Sequence, residues 1–280
     1  MYGANNADPV AAAAQGKTIP IKMITVAPEL GQMTKLIPSL CARGIVCSIG
    51  HSDATYEEAS DAVAAGASMI THLFNAMAPL HHRNPGPFGV LGVADHPGHR
   101  RPYFGIIADG IHLHPATTKI AWNAHPDGLI LVTDAMHMAG LPDGEYPWTN
   151  GTAEHFIVKT GAVLRLRDSD TIAGSSTILI DCVNNFLRWS GASVPKALGS
   201  VTATPAAMLG LRGVKGTLDP SADADLVILS EETHAGDRTP GLPSPSSSSS
   251  ATAAAATVPE LVVDEVWKFG VKIFERSIVS

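Results

Sequence analysis

The stretch GIVCSIGHSDATYEEASDAVAAGASMITHLF, residues 44 to 74, decides the fold. It opens on a short apolar run rich in β-branched residues and passes through TYEEASDAVAAG, where Ala59, Val63 and Ala67 recur near helical spacing and Gly66 is placed as a helix stop. A second apolar run follows in SMITHLF, so the segment reads as strand, helix and parallel strand, one βαβ unit. Outward from it, IKMITV (21 to 26), YFGIIA (103 to 108) and LILVTD (129 to 134) read as three further strands of the same kind.

Each of these runs carries, or is soon followed by, a residue able to do chemistry: Glu29, His51, His72, His112 and Asp134 in chain order. Functional groups at the C-terminal ends of successive parallel strands are what a TIM barrel presents, because its active site is built from the βα loops. A dinucleotide-binding sheet would instead need a glycine-rich loop after its first strand, and the sequence has none. The expectation is therefore an α/β protein with a (β/α)8 TIM barrel, although only about five strands precede a change in character.

That change comes after about Pro195. A helical VPKALGSVTATPAAMLGL leads into GVKGTLDPSADADLVIL, and ELVVDEVWKFGVKIFER alternates like a hairpin turning at Phe269-Gly270. The domain reading is a loop-like remnant at 1–20, a partial barrel at 21–212 and a small β-sandwich portion at 213–280. A Ser/Ala/Pro-rich run at 239–260 interrupts the last, and its composition predicts disorder. Asp223 and Asp225 read as turn residues before a strand.

Bulk properties narrow the function. The 280 residues carry a formal charge of −7 and a pI near 5.9, with no basic stripe, which argues against a nucleic-acid partner. No apolar run approaches the ~18 residues of a membrane span, and no signal-like segment opens the chain. Three cysteines, Cys41, Cys47 and Cys182, without a C-x-x-C pair, point to a reducing compartment and a cytoplasmic location.

His51 and His72 lie 21 residues apart, the length of one βα unit, so both side chains fall at one barrel mouth. Two histidines and a carboxylate, with water in the fourth position, would form a catalytic zinc site, and from spacing alone Glu29 is the natural third ligand. Taken singly, such histidines are more often buried, hydrogen-bonded core groups and Glu29 a solvated loop carboxylate. Asp134 reads either as a general acid and base or as a turn aspartate.

The segments VAPEL, GHSDATYEEASDAVAAGASMITHLFNAM, RNPGPFGVLG, GIIADGIHLHP, VTDAMHMAGLPDG and IAGSS occur here in an order that resembles the N-acetylglucosamine-6-phosphate deacetylases, a family of metal-dependent amidohydrolases. The resemblance runs from about Ile21 to Leu229. It implies that His51 and His72 are metal ligands for one divalent ion, usually Zn2+, and that Asp134 is the catalytic aspartate. It further implies substrate contacts at Asn75, Ala76 (through its backbone), Arg83 (to the phosphate), His112 and the loop Ile172, Ala173 and Gly174.

The implied substrate is a phosphorylated amino sugar, deacetylated in amino-sugar catabolism, and a homodimer is compatible with it. Glu29 matches a different family motif from the one that supplies the third ligand, a glutamate in an HLEGPF-like stretch that does not occur here. The chain accordingly reads as N-terminally truncated, with weak metal affinity and apolar strand edges prone to aggregation. Two competing readings are an impaired homologue that binds metal or a partner only, and a different metal amidohydrolase.

Overall fold

A computed structural model describes residues 21–94, 100–149, 151, 153–232 and 260–277. The residues expected to form the N-terminal remnant, and all of the 239–260 run except Glu260, lie outside this set. The chain divides into two compact units: the first holds 1–107, 120–132 and 199–212, and the second 108–119, 133–198 and 213–280.

The first unit is built on a parallel sheet of five strands in sequential order: β1 (Met23–Val26), β2 (Val46–Ile49), β3 (Met69–Ile70), β4 (Tyr103–Ile107) and β5 (Leu129–Val132). Sequential parallel neighbours require a crossover between each pair. Helix α1 (Met33–Cys41) crosses from β1 to β2, and α2 (Tyr56–Ala64) from β2 to β3. The central strands are buried on both faces, with Ile49, Ile70, Phe104, Ile106 and Ile107 each fully shielded from solvent. That explains why they read as continuous apolar runs in the sequence.

Helix α2 forms where the spacing predicts it. Thr55 caps its N-terminus by accepting from Glu58 N, while the Glu58 carboxylate accepts from Thr55 N, a reciprocal capping box. Ala59, Ala62 and Val63 face the core, and Gly66, at φ +118°, releases the chain toward β3. The β3 run proves far shorter than the seven residues of SMITHLF. Only Met69 and Ile70 keep strand pairing, because His72 and Phe74 turn to positive φ. At one edge of this sheet, β1 exposes Met23 and Ile24.

The second unit contains two antiparallel sheets. Four strands, β6 (Gly144–Thr149), β7 (Glu154–Thr160), β8 (Val163–Leu166) and β9 (Ile172–Ser175), pair in that order around a small core of Met138, Ile157 and Leu164. The sequence reading did not anticipate this sheet. Three more, β10 (Leu226–Glu232), β11 (Glu260–Lys268) and β12 (Val271–Glu275), form the sheet expected for a sandwich portion. The β11–β12 turn falls at Phe269 and Gly270, both at positive φ, the geometry of a type I′ hairpin. Asp225 fixes it by accepting from Phe269 N and from Lys268 and Lys215, so Asp223 and Asp225 hold lysines at the turn.

Helix α4 (Leu179–Ser190) packs on β11 through Asn184, whose side-chain amide makes two 2.9 Å bonds with the Leu261 main chain and completes that strand's buried edge. Helix α3 (Pro115–Ala124) precedes β5. Two short helices, α5 (Val194–Gly199) and α6 (Ala203–Met208), follow α4.

Gly50 links β2 to His51 in a space that admits no side chain. An added Cβ would lie 2.6 Å from Thr71 Cβ and 2.8 Å from its hydroxyl. Gly50→Ala is therefore expected to destabilise the first unit by about 1–3 kcal/mol, as overpacking of a tight interior does, read as a lowered midpoint in urea unfolding.

Candidate metal and substrate site

Three of the expected site residues occupy the same position relative to the strand that precedes them. His51 lies two residues past the end of β2, His72 two past β3 and Asp134 two past β5. All three take left-handed backbone, at φ of 50°, 22° and 51°. Residues other than glycine pay strain there, and such strain concentrates where surrounding contacts enforce it at functional sites.

In the first unit the enforcing contacts are clear. Glu29, just past β1, accepts from Ser52 Oγ at 2.6 Å with one carboxylate oxygen and from Asp53 N at 2.8 Å with the other. Both carboxylate oxygens thereby clamp the turn that carries His51. Ser52 in turn donates its N–H to Ala76 O at 3.1 Å and accepts from Ala78 N at 3.0 Å, so the loop after β3 is sewn to the loop after β2. The ladder lies across Ser52 and Met77.

This sewing brings His51 and His72 together. Their Nε2 atoms are 3.0 Å apart, with the rings at 68°. Two zinc-bound nitrogens at ~2.0–2.1 Å from a tetrahedral ion would be separated by only slightly more than this. His72 is buried, and its Nδ1 has no hydrogen-bond partner among the described residues. The pair therefore fits two positions of a divalent cation's shell. Among the described residues no group of three or more His, Cys, Asp or Glu side chains converges to complete one.

Asn75 and Ala76 lie on the same sewn loop. The Asn75 side chain sits 3.4 Å from the carbonyls of His72 and Leu73, and Ala76, at φ 49°, offers its carbonyl to Ser52. Arg83 is exposed on the following loop, its Nη1 2.9 Å from His82 Nε2. That loop is anchored by Asn84, whose side-chain oxygen accepts from Tyr56 N at the start of α2.

In the second unit, His112 is held by Asp109. Its Nδ1 lies 2.7 Å from Asp109 Oδ2, while Asp109 Oδ1 accepts from the main-chain N–H groups of Ile111 and His112, each at 2.9 Å. Burial pushes the Asp109 carboxyl up, but these hydrogen bonds outweigh it and hold it below the usual carboxylate range. The side chain is 1% exposed, and its bonds to His112 and Ile111 offset the cost of burying the carboxylate. Sequence reasoning passed over Asp109, although its place three residues before His112 in ADGIH is the signal of a side-chain-capped turn.

Asp134 is exposed and meets the β9 segment through its main chain: Ser175 N donates to Asp134 O at 3.1 Å and Met136 N to Ser175 O at 2.8 Å. Gly174, at φ +77°, lies so close that an added Cβ would fall 2.7 Å from Met136 Cγ and 3.3 Å from Asp134 O. The segment Ile172, Ala173 and Gly174 thus lies beside Asp134. His51, His72, Asn75, Ala76 and Arg83 belong to the first unit, and His112, Asp134 and the 172–174 segment to the second.

No family model matches the chain. A bovine N-acetylglucosamine-6-phosphate deacetylase is 45% identical over 214 residues, which are 76% of this chain and 51% of that protein. Among solved structures, the Thermotoga maritima N-acetylglucosamine-6-phosphate deacetylase superposes with a TM-score of 0.71 at 28% identity, covering 94% of this chain and 62% of the other. The Mycobacterium smegmatis deacetylase, solved with N-acetyl-D-glucosamine-6-phosphate, superposes at 0.69 with 27% identity, over 95% and 61%. The five-stranded parallel sheet is accordingly part of a (β/α)8 amidohydrolase barrel, and the β10–β12 sheet belongs to the accompanying sandwich. The chain spans about half the length of the curated relatives it matches, and over that span it is a homologue of the N-acetylglucosamine-6-phosphate deacetylases.

Proposed function

We propose that this chain carries the catalytic part of an N-acetylglucosamine-6-phosphate deacetylase, releasing acetate and leaving glucosamine 6-phosphate. The observation that supports the reading most is the His51–His72 pair, with Nε2 atoms 3.0 Å apart on two strained strand-end turns. Residues 21–212 are assigned to the catalytic part and 213–280 to the sandwich part. The setting we assign is cytoplasmic amino-sugar catabolism; no helix among the described residues is long and apolar enough to cross a membrane.

His51 and His72 would hold one divalent ion, for which we propose zinc on the strength of two imidazole donors. When bound, such an ion supplies Lewis acidity toward the amide carbonyl and makes water a competent nucleophile near neutral pH. The chain's own residues do the remainder. Asp134 removes the proton from the attacking water and delivers it to the departing nitrogen, which must leave as an amine. His112, held by Asp109, donates to the oxygen that gathers charge in the tetrahedral intermediate, a gain larger in the transition state than in the ground state. Arg83 meets the phosphate with its planar fork of donors. Asn75, the Ala76 backbone and the 172–174 segment line the sugar.

A second reading, a homologue that binds metal without turnover, draws support from one observation: the Glu29 carboxylate is committed to Ser52 and Asp53, and no third ligand converges among the described residues. Acetate release separates the two. With N-acetylglucosamine 6-phosphate and added zinc, turnover lost by about 10³-fold or more in Asp134→Asn is the expected result; zinc binding without any acetate release would favour the second reading.

Arg83→Ala is expected to raise KM for the phosphorylated sugar about tenfold or more while leaving turnover of the unphosphorylated sugar unchanged, measured by parallel acetate assays. Glu29→Gln should weaken zinc binding about 10- to 100-fold by loosening the His51 turn, read by competition with a chelator.

Asp109→Asn tests the tether on His112. Because the folded-state pKa of Asp109 is lowered, its stabilisation is complete above the ordinary carboxylate pKa of about 4 and is lost as pH falls through the lowered folded value. Urea unfolding should therefore show the variant less stable than the parent at pH 7, with the gap closing in strong acid.

A further inference from the structure

The first unit holds a second feature that the deacetylation site does not use. At the opposite ends of the same strands, away from His51 and His72, a cavity of about 600 Å3 is lined by Arg100, Arg101, His125 and Arg212 together with Asp127 and Tyr103. Its position follows from the sequence order. Tyr103 is the first residue of β4, Arg100 and Arg101 lie just before it, His125 and Asp127 precede β5, and Arg212 comes shortly after α6. The cavity is thus formed where chains enter the sheet, and the site described above where they leave it.

Charge sets this cavity apart. Acidic residues outnumber Lys and Arg by 26 to 19 in the whole chain, yet here three guanidinium groups face one carboxylate. Such a local reversal of sign in a concave lining raises the local concentration of anions.

The lining is also built to a shape. Arg101 Nη1 donates to the main-chain carbonyls of Ala124 at 2.9 Å and Leu91 at 3.3 Å, so two separate segments fix its guanidinium before any ligand arrives. His125 is 8% exposed, and its ring occupies the space a side chain at position 128 would need: a Cβ on Gly128 would lie 2.2 Å from the ring. Glycine at 128 therefore seats the imidazole in the wall. Arg100 and Arg212 are exposed at the rim, where they can close on a ligand.

We infer that this cavity is a binding site for a small phosphate monoester, separate from the one that Arg83 serves. Several guanidinium groups lining one cavity suit a tetrahedral dianion, whose three peripheral oxygens can accept from more than one fork, better than they suit a single carboxylate. The volume lies within the ~300–1,000 Å3 of small-molecule sites and far exceeds a bare phosphate, so there is room for an attached organic group.

The test uses the 280-residue chain carrying Arg83→Ala, which removes the phosphate contact assigned to the deacetylation site. Isothermal titration with glucose 6-phosphate and with inorganic phosphate, at fixed ionic strength, should show saturable binding of one equivalent. Adding Arg100→Ala and Arg212→Ala should weaken that binding at least tenfold, with circular dichroism and the unfolding midpoint unchanged because both side chains are exposed. Tighter binding of the sugar phosphate than of inorganic phosphate upholds the monoester site, and equal or weaker binding of the sugar phosphate overturns it. Absence of saturable binding in the Arg83→Ala chain, or binding that survives loss of both rim arginines, overturns it. The outcome does not depend on turnover, so failure here and failure of the deacetylase reading are distinguishable.

Discussion

A parallel sheet delivers every strand to the same edge, and the chain must then turn sharply before it can cross back. Here the turn two residues past β2, β3 and β5 falls on His51, His72 and Asp134, each forced into left-handed backbone. None is glycine, so each turn costs strain of about 1–3 kcal/mol that neighbouring contacts must offset. The Glu29 carboxylate offsets it for His51 by holding Ser52 and Asp53. The hydrogen bonds between Ser52 and the 76–78 backbone extend that hold to the loop of His72. Without this clamp the two imidazoles would have no reason to lie with their Nε2 atoms 3.0 Å apart.

The second unit repeats the arrangement with different parts. Asp109 spends both oxygens on the turn of His112, and the β9 segment engages the main chain of Asp134. In each case a charged or small group fixes a residue to which the proposed function assigns chemistry. That division of labour explains why buried Asp109 is kept ionised: a neutral side chain could not satisfy the His112 imidazole and two main-chain donors equally well.

Much of this was legible in the sequence. The strand-helix-strand segment at 44 to 74 declares itself by β-branched runs, apolar helical spacing and Gly66 as a helix stop, and the hairpin by Phe269-Gly270 between alternating runs. The identity of the site residues rested on ordered motifs, since spacing alone made Glu29 a candidate ligand. Its hydrogen bonds to Ser52 and Asp53 reach residues 23 and 24 positions away, which no local pattern encodes. The four-stranded sheet of β6 to β9 was not read because its strands are mostly half-exposed and its core is only three residues deep. Pro147 within β6 also argues against a strand, and is tolerated because β6 lies at the sheet edge. The cationic cavity was equally invisible, its arginines being scattered between positions 100 and 212.

X-ray absorption at the zinc edge of the metal-loaded chain addresses the central claim most directly. The account predicts two imidazole nitrogens at ~2.0–2.1 Å in the ion's first shell, with one of them lost in His51→Ala and one in His72→Ala. A first shell of oxygen atoms only, or a spectrum unchanged by either substitution, would contradict it.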